Sequence, residues 1–252
     1  MHWKAYEVLA WTDQYLADPE RYRQEAQWYV EAIRQAHGGT PHSLLHLGSG
    51  AGGHDRHFKE HFQVTGVDIS AGMLEVARKV NPEVVYLEGD MRSVDLGQRF
   101  DAVVIPESVM YMTVWEDVRS VIRTAVTHLN PGGVLLLVTH TREEFRENSF
   151  AYTGEGPGVH ITLLENNHVV SDHAYEAVLV YLIRQDGGLV IETDVHTCGL
   201  FDRQDWLDLL NEAGLTVSEA RNDRAYEDHI LNDGSYLQTV FLCRTSERKG
   251  QQ

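Results

Sequence analysis

A glycine-rich turn at residues 46–53, with the sequence HLGSGAGG, constrains the fold of this chain more than any other segment. It follows a short apolar run that includes Leu44, Leu45 and Leu47, and it holds four glycines within six residues. Glycines adopt positive φ without strain and carry no Cβ, so a ligand can lie directly against backbone N–H groups before the next helix. The segment predicts a strand that ends in a ligand-binding turn. Ordinary loop glycines give the same spacing, so the surrounding sequence must decide.

Composition restricts the chain to a few classes. With 252 residues, 42% of them hydrophobic, it can form one α/β domain with a substantial insertion. No stretch reaches the ~18 apolar residues of a membrane span, and the start MHWKAYEVLAW lacks a secretory signal pattern. Cys198 and Cys243 are too few for a disulfide framework, so we expect a protein of the reducing cytoplasm. The formal charge of -17 disfavours nucleic-acid binding.

Strand and helix patterns alternate through the first 140 residues. The predicted strands span residues 44–47, 63–69, 84–87, 100–105 and 134–139. Amphipathic helices are predicted between them at residues 55–62, 71–79 and 115–129. This order predicts an α/β fold with a doubly wound, mostly parallel sheet, in which ligands bind at the carboxyl ends of the strands.

Asp68 ends the second predicted strand, 20 positions after Gly48. At that interval an acidic residue on the neighbouring strand reaches a ribose. A carboxylate can accept hydrogen bonds from both the 2′ and 3′ hydroxyls. The alternative is that Asp68 caps the helix that begins near Ala71, although Ser70 can do so equally well. The turn and the carboxylate together favour a nucleoside-containing ligand.

The pattern changes after residue 140, where consecutive strands suggest an antiparallel meander with turns at Asn166–Asn167 and at residues 186–188. The predicted strands span residues 159–164, 168–171, 174–184 and 189–198. Inserted after the fifth strand, the meander would stand above the ligand-bearing edge of the sheet. The core pattern then resumes with a helix at 203–213 and strands at 215–217 and 236–243.

The aromatic N-terminus suggests a cover for the ligand. Trp3, Tyr6, Trp11 and Tyr15 precede an amphipathic helix that starts at Asp18-Pro19. We predict a lid, and the alternative is a helix that only docks on the core. The predicted division is an N-terminal helical lid at 1–40, a core at 41–140 and 200–245, an insert for substrate binding or dimerisation at 141–199, and a disordered tail at 246–252.

Six segments, in order and spacing, resemble the class I S-adenosylmethionine-dependent methyltransferases. They are LLHLGSGAGG (44–53), VTGVDIS (64–70), YLEGDMRSV (86–94), FDAVVIPESVMYM (100–112), LNPGGVLLLV (129–138) and FDRQDWLDLLNEAGLTV (201–217). The resemblance implies a seven-stranded Rossmann-like sheet with the antiparallel insert after strand five. Within the family, the chain is similar to the amino-sugar N,N-dimethyltransferases and the glycine N-methyltransferase group. The resemblance implies methyl transfer to N, in preference to O, of a small-molecule acceptor, with S-adenosylhomocysteine as co-product.

The resemblance also assigns the cofactor contacts. It places Gly48, Gly50 and Gly52 against the methionine part of S-adenosylmethionine and Asp68 on the ribose. Asp90 would accept a hydrogen bond from the adenine amine while the backbone N–H of Met91 meets a ring nitrogen. The further cofactor contacts that it implies are His46, Ser49, Ile69, Met73, Pro106 and Glu107. Of these, Ile69 offers an apolar contact to adenine, and Glu107 faces the methionine end and the acceptor.

Two positions depart from the family pattern. The family usually has an acidic residue two positions before the first glycine, where it helps to organise the glycine loop and the cofactor's ammonium group. This chain has His46 there. Met110-Tyr111 stands where many relatives carry Glu-His, which predicts a different acceptor.

Tyr111, His140, Tyr6 and Tyr15 are the candidate catalytic residues. Alignment of acceptor, methyl and sulfur can supply about 7 to 11 kcal/mol of barrier reduction, and a nearby proton acceptor keeps the acceptor lone pair free. His140 ends strand five beside Tyr111, and an ordinary histidine there would titrate near neutral pH. The alternative for His140 is a hydrogen bond to a loop. The histidines of the meander show no firm ligand spacing, so no metal is expected.

Two other functions fit part of the sequence. A cofactor-binding scaffold that has lost its chemistry is conceivable because of His46. A nicotinamide-dependent oxidoreductase shares the glycine turn and Asp68, but it does not explain GDM at 89–91, LNPGG at 129–133 or the terminal strand. The expected partner is a small-molecule acceptor, without nucleic acid or membrane, and exposed strand edges of the meander favour a homodimer.

Overall fold

The computed structural model describes residues 3–222, 226–232 and 235–246, and it contains a seven-stranded sheet and a four-stranded sheet. The strands of the larger sheet are β1 Ser43–Leu47, β2 Gln63–Asp68, β3 Val85–Glu88, β4 Phe100–Pro106, β5 Leu129–Thr139, β10 Leu215–Asn222 and β11 Gln238–Thr245. Those of the smaller sheet are β6 Ser149–Gly156, β7 Val159–Ser171, β8 Ala174–Gln185 and β9 Gly188–Gly199. The helices are α1 Asp13–Leu16, α2 Pro19–His37, α3 Asp55–Phe58, α4 Ala71–Val80, α5 Trp115–Thr127 and α6 Arg203–Glu212.

The larger sheet has the order β10-β11-β5-β4-β1-β2-β3. Strands β1 to β5 run parallel, whereas β11 lies antiparallel to β5 and β10 antiparallel to β11. The strand order reverses between β1 and β4, which is where doubly wound sheets bind ligands. The predicted fold class, with a mostly parallel sheet and an insert after β5, is confirmed.

Apolar side chains cover both faces of this sheet. Alternate residues of the buried strands point to opposite faces, so Leu45 and Leu47 pack toward α5 and α6. Leu44 packs toward α2, α3 and α4, where Phe58 is fully buried. Because both faces are covered by helices, the open positions for a ligand lie at the strand ends.

Helix α2 is part of the core. The side chain of Asp18 accepts hydrogen bonds from the N–H groups of Glu20 and Arg21, and Pro19 occupies the first turn, so the helix begins as the sequence predicts. Its face with Tyr29 and Ile33 is completely buried against the sheet. Helix α2 therefore packs on the core, and a lid stays a prediction for the segment that precedes it.

The insert differs from its predicted strands. Strand β6 was not predicted, and β7 runs without interruption through Asn166 and Asn167, so the predicted turn there is wrong. Both asparagines pair with β8, and the buried Asn167 donates from its backbone N–H to the carbonyl of Asn148 at 2.9 Å. These partners satisfy groups that in an isolated peptide favour a turn.

Several predicted boundaries shift by a few residues. Helix α3 is shorter than predicted, and β10 extends five residues beyond Val217 because it pairs with β11 along its length. The predicted disordered tail lies outside the described residues apart from Ser246. Among the helices that the structure describes, none is long and apolar enough to cross a membrane.

Candidate active site

The glycine turn is fixed against β2. The N–H groups of Gly48 and Ser49 donate to the carbonyl oxygen of Val67 at 2.7 and 3.0 Å. Gly50 has a φ of 53°, and a Cβ there would contact only Cε of Met73, at 3.5 Å. The Oγ of Ser49 is buried and has no hydrogen-bond partner among the described residues. The turn thus combines free space beside Gly50 with an unpaired buried hydroxyl.

Asp68 lies at the end of β2 with one oxygen on the turn. Its Oδ2 accepts from the N–H of Gly50 at 2.8 Å, and its Oδ1 accepts from the N–H of Ser70 at 2.9 Å. Burial raises the pKa of Asp68, and these hydrogen bonds oppose that rise. Ser70 caps α4 by accepting from the N–H of Met73, so Asp68 is not needed as a cap. Each carboxylate oxygen retains a lone pair for a further donor.

The three residues predicted to meet adenine differ in how accessible their side chains are. Ile69 is 61% exposed although it is a large apolar side chain, so its surface is open to a ligand. Asp90 accepts from Arg92 through the backbone N–H at 2.8 Å and through the guanidinium at 2.6 Å, and Arg92 is the main cause of its lowered pKa. Met91 reaches back to the glycine turn, since its Cε lies 2.9 Å from where a Cβ on Gly48 would be.

Position 46 lacks the acidic residue of the family pattern, and His46 pairs instead with the carboxylate of Asp55. Its Nδ1 lies 2.7 Å from Oδ1 of Asp55, and both side chains are buried. The other oxygen of Asp55 accepts from the hydroxyl of Tyr86 at 2.9 Å. Asn81 donates to that same hydroxyl at 3.0 Å and to the carbonyl of Gly52 at 2.9 Å. The His46–Asp55 network, formed by these four side chains, therefore organises the glycine turn.

Glu107 follows β4 directly, after the buried Pro106. It adopts a φ of 61°, which a non-glycine residue rarely does outside sites held by their surroundings. The hydroxyl of Tyr226 donates to its carboxylate at 3.0 Å from Oε1 and 3.2 Å from Oε2. Burial, and then the charge of Glu25, raise the pKa of Glu107 to about 7.

Aromatic rings pack around Tyr226, whose hydroxyl contacts this carboxylate. The ring centroids of Tyr226 and Tyr236 are 4.8 Å apart, and those of Phe150 and Tyr236 are 5.1 Å apart. The guanidinium of Arg21 lies 4.4 Å from the centroid of Tyr226. We call Phe150, Tyr152, Tyr226 and Tyr236 the aromatic cage. It joins β6 of the insert to residues beside Glu107.

The structure favours the alternative for His140, which is a hydrogen bond to a loop. It is buried, its Nδ1 donates to the carbonyl of Leu237 at 2.7 Å, and its ring packs against Tyr236 at 4.4 Å. Burial lowers the pKa of His140 to about 4, so the expectation that it titrates near neutral pH is wrong. Its Nε2 is buried without a partner among the described residues, and it can accept a hydrogen bond.

Two of the four candidate catalytic residues meet directly. The hydroxyls of Tyr6 and Tyr111 are hydrogen bonded, and the hydroxyl of Tyr111 lies 3.1 Å from Nδ1 of His196. Tyr15 lies against β6, where its backbone packs on Gly154 and its ring on Gly156. No described contact joins Tyr15 to the other three, so its catalytic role stays a prediction.

The sequence did not single out Asp55, Tyr226 or Asp194 as functional residues, and it considered His196 only as a metal ligand. The signal for Asp55 was its place in the first turn of the helix after the glycine turn. The other three had no local signal. In the described part of the chain, no group of three His, Cys, Asp or Glu side chains is arranged to hold a metal ion.

The comparisons with known proteins agree with this geometry. Residues 44–133 match the family described as Methyltransferase domain. The chain is 30% identical over 209 residues to the dTDP-3-amino-3,4,6-trideoxy-alpha-D-glucopyranose N,N-dimethyltransferase of Streptomyces venezuelae, covering 81% of this chain and 87% of that protein.

Solved structures extend the similarity to the insert. The crystal structure of DesVI from Streptomyces venezuelae is similar with a TM-score of 0.77 and 26% identity, over 89% of this chain and 92% of that one. The structure of CalS10, an amino pentose methyltransferase from Micromonospora echinaspora with bound SAM, has a TM-score of 0.75 at 23% identity, over 89% and 92%. The latter shows the shared fold.

The fold and the turn define a methyltransferase with a Rossmann-like core. The chain belongs to the class I S-adenosylmethionine-dependent methyltransferases. Its cofactor is S-adenosylmethionine, and its acceptor is a small molecule. The oxidoreductase reading of the glycine turn is thereby excluded.

Proposed function

We propose that the chain transfers methyl groups to the amine of an amino sugar carried on a nucleoside diphosphate. The observation that carries the proposal is Glu107 with its aromatic cage at the end of β4. The N,N-dimethyltransferase of Streptomyces venezuelae supports it, since its name specifies an amino-sugar substrate. The alternative, a scaffold that binds the cofactor without chemistry, rested on His46, and Asp55 supplies the carboxylate that His46 replaced.

The residues at the glycine turn fit S-adenosylmethionine. The space beside Gly50 and the unpaired Oγ of Ser49 suit the methionine part, Asp68 has lone pairs for the ribose hydroxyls, and Ile69 exposes an apolar surface for adenine. When bound, the cofactor supplies an electrophilic methyl group on a sulfonium centre. The other predicted contacts are Gly48, Gly52, His46, Met73, Asp90, Met91, Pro106 and Glu107.

Glu107 gives the acceptor side its charge preference. A carboxylate beside aromatic rings attracts a cationic amine both by its charge and by the negative faces of the rings. The neighbouring Ser108 lies against Gly48, because a Cβ on that glycine would overlap the Ser108 Oγ. The carboxylate is therefore one residue away from the turn that binds the methionine end of the cofactor.

The lid and the insert complete the enclosure in this proposal. The carbonyl of Tyr6 accepts from the Oγ of Ser70 at 2.5 Å, so the N-terminal segment lies over the start of α4. The insert contributes Phe150 and Tyr152 to the cage. Water would be excluded from the reacting amine by these two segments, while the core at 41–140 and 200–245 holds the cofactor.

The test is a methylation assay with dTDP-3-amino-3,4,6-trideoxy-α-D-glucopyranose and S-adenosylmethionine, followed by mass spectrometry. We expect one or two added methyl groups on the amino sugar. The matched control substrate carries a hydroxyl in place of the amine and should stay unmethylated. Glu107→Gln should raise the KM for the amine by about tenfold, which corresponds to losing one charge interaction of ~1.4 kcal/mol.

Equal methylation of the hydroxyl control would contradict the choice of an amine. Binding of S-adenosylhomocysteine without methylation of any amino sugar would leave the family assignment in place and reject this substrate class. An unchanged KM in Glu107→Gln would show that the Glu107 carboxylate does not take part in recognising the acceptor.

A homodimer through the insert belongs to the same proposal. Strand β9 is an edge of the four-stranded sheet, and its Leu189, Val190, Ile191 and Val195 are about half exposed, between 48% and 60%. Exposed apolar edge strands pair readily with a second copy. Light scattering of the purified protein should give twice the mass of one chain, and Ile191→Lys should lower it. A monomer at all concentrations would reject the dimer.

A further inference from the structure

Four polar side chains form a continuous chain from the N-terminal segment to the insert. The hydroxyl of Tyr6 is bonded to that of Tyr111, which lies 3.1 Å from Nδ1 of His196. The Nε2 of His196 lies 3.0 Å from Oδ2 of Asp194. We call Tyr6, Tyr111, His196 and Asp194 the hydroxyl relay. Its members come from three segments of the chain, and the ring of Trp3 covers it at 4.5 Å from Tyr111.

The partners fix the direction of these hydrogen bonds. The carboxylate of Asp194 is an acceptor, so Nε2 of His196 carries the proton and Nδ1 has the lone pair. Tyr111 must then donate to His196, and Tyr6 must donate to Tyr111. The oxygen of Tyr6 is left with lone pairs for an outside donor. The relay can therefore pass a proton inward from whatever meets Tyr6.

Tyr6 lies where the acceptor side borders the glycine turn. Its ring packs with Ala51 of the glycine turn and Met73 of α4, and its backbone contacts Ser70. Tyr111 ends the short helical turn at Ser108–Tyr111 that follows Glu107. The hydroxyl of Tyr6 thus belongs to the same region as the glycine turn and the end of β4.

We propose that the hydroxyl relay takes the proton from the acceptor amine, with the His196–Asp194 pair as its final acceptor. The ammonium R–NH3⁺ gives a proton to the oxygen of Tyr6, whose own proton passes to Tyr111. The proton of Tyr111 passes to Nδ1 of His196. The products of this step are R–NH2 with a free lone pair and an imidazolium held by Asp194. The inference rests on the proposed function, which supplies the amine.

The surroundings of His196 suit this role. Burial lowers the pKa of His196, which keeps the imidazole neutral before the transfer, and Asp194 opposes the shift because its charge stabilises the imidazolium that the transfer forms. Burial also raises the pKa of Tyr6 and Tyr111, so both hydroxyls stay protonated. Apart from the relay, the titratable groups near it are Cys198, Tyr175, Tyr181, Asp68 and the Lys4–Glu192 ion pair.

Asp194 has a second task that makes it a positioning residue. Its Oδ2 also accepts from the backbone N–H of Ala5 at 2.9 Å. The same oxygen therefore orients His196 and anchors the N-terminal segment that carries Tyr6. The relay is complete only when this segment lies in place.

The test compares pH–rate profiles of the wild type, His196→Gln and Tyr111→Phe with the amino sugar named above. A positioned proton acceptor contributes about 10²-fold or more, so both variants should lose about that much turnover at pH 7. The loss should shrink toward high pH, where the amine is free in solution. His160→Gln, at an exposed histidine on β7 of the same sheet, is the matched control and should retain the wild-type profile.

A loss that stays constant across pH, or wild-type turnover in His196→Gln, would overturn the relay. Nitrogen NMR of labelled histidines provides a readout without turnover. His196 should be neutral at pH 7 with its proton on Nε2, and Tyr111→Phe should shift its Nδ1 signal. A cationic His196, or a proton on Nδ1, would overturn the relay even if no amino sugar were methylated.

Discussion

The predicted cofactor side and the proposed acceptor side of the pocket are built in different ways. The glycine turn is held by residues close in sequence: His46 and Asp55 are nine positions apart, and Gly50 and Asp68 are 18 apart. On the acceptor side, Tyr6 and Tyr111 are 105 positions apart, Tyr111 and His196 are 85 apart, and Glu107 and Tyr226 are 119 apart. The cofactor side is a local motif, whereas the acceptor side is assembled from distant segments.

The two sides also differ in how their polar groups are satisfied. The buried His46–Asp55 network is hydrogen bonded among its own side chains, which rigidifies the turn, and only the Oγ of Ser49 beside it is left unpaired among the described side chains of the turn. On the acceptor side, Nε2 of His140 is buried without a partner among the described residues, and Glu107 has a raised pKa. Groups left short of partners in this way are typical of sites that meet a ligand. Changes to the first side should therefore affect stability and cofactor affinity, and changes to the second should affect turnover.

The largest expected effect follows from removing Asp55. Asp55→Ala leaves His46 and the hydroxyl of Tyr86 without their buried partner, and breaking such a pair costs about 3 to 5 kcal/mol. Urea unfolding should show a decrease of that size in the free energy of unfolding. The matched control, Asp208→Ala on the exposed face of α6, should change it by less than about 0.5 kcal/mol. A stable Asp55→Ala protein would mean that the network does not hold the turn.

Restoring the acidic residue that the family carries at position 46 tests the same network. His46→Asp places a second carboxylate against Asp55 and should destabilise the fold. Asp55→Asn in the same chain removes one charge and should recover much of the loss, giving a favourable coupling energy of about 1 to 3 kcal/mol. Additive effects of the two substitutions would show that positions 46 and 55 do not share the role of the missing acid.

Glu107 gives the next effect, on the pH dependence of stability. Its pKa is about 7 in the folded protein and about 4.3 when unfolded. As pH rises from 4 to 7, the unfolded state loses the proton first, so the free energy of unfolding falls, by up to about 3 kcal/mol. Glu107→Gln should flatten this part of the profile and be more stable than the wild type at pH 8. Glu60→Gln, an exposed control, should leave the slope as it is.

Ile69 gives the smallest effect and separates binding from folding. Since its side chain is 61% exposed, Ile69→Ser should hardly change the free energy of unfolding. It should weaken S-adenosylhomocysteine binding about tenfold, because the apolar contact to adenine is worth ~1.4 kcal/mol or more. Val170→Ser, a similarly exposed residue in the insert, is the control and should bind normally. Equal affinities for S-adenosylhomocysteine in both variants would show that adenine does not contact Ile69.

The sequence predicted the cofactor side because its signals are local. The glycines, Asp68 and the alternation of strands and helices lie within short stretches, and the sheet order follows from that alternation. Even there the pairing of His46 with Asp55 was missed, since nothing in one sequence shows which buried acid meets which histidine. The acceptor side could be predicted only in part: Tyr6 and Tyr111 were named, but His196 and Asp194 reach them, and Tyr226 reaches Glu107, through tertiary packing. Burial reversed the expectation for His140 in the same way.

The most direct test of this division is isothermal titration with S-adenosylhomocysteine of the wild type, Asp68→Ala and Tyr111→Phe. Asp68→Ala removes two charge-assisted hydrogen bonds to the ribose, each worth about 1.5 to 3 kcal/mol, so its affinity should fall at least about 100-fold. Tyr111→Phe should bind within about threefold of the wild type, because its hydroxyl serves the acceptor side. Normal binding by Asp68→Ala, or lost binding by Tyr111→Phe, would contradict a cofactor site centred on Asp68 and separate from the relay.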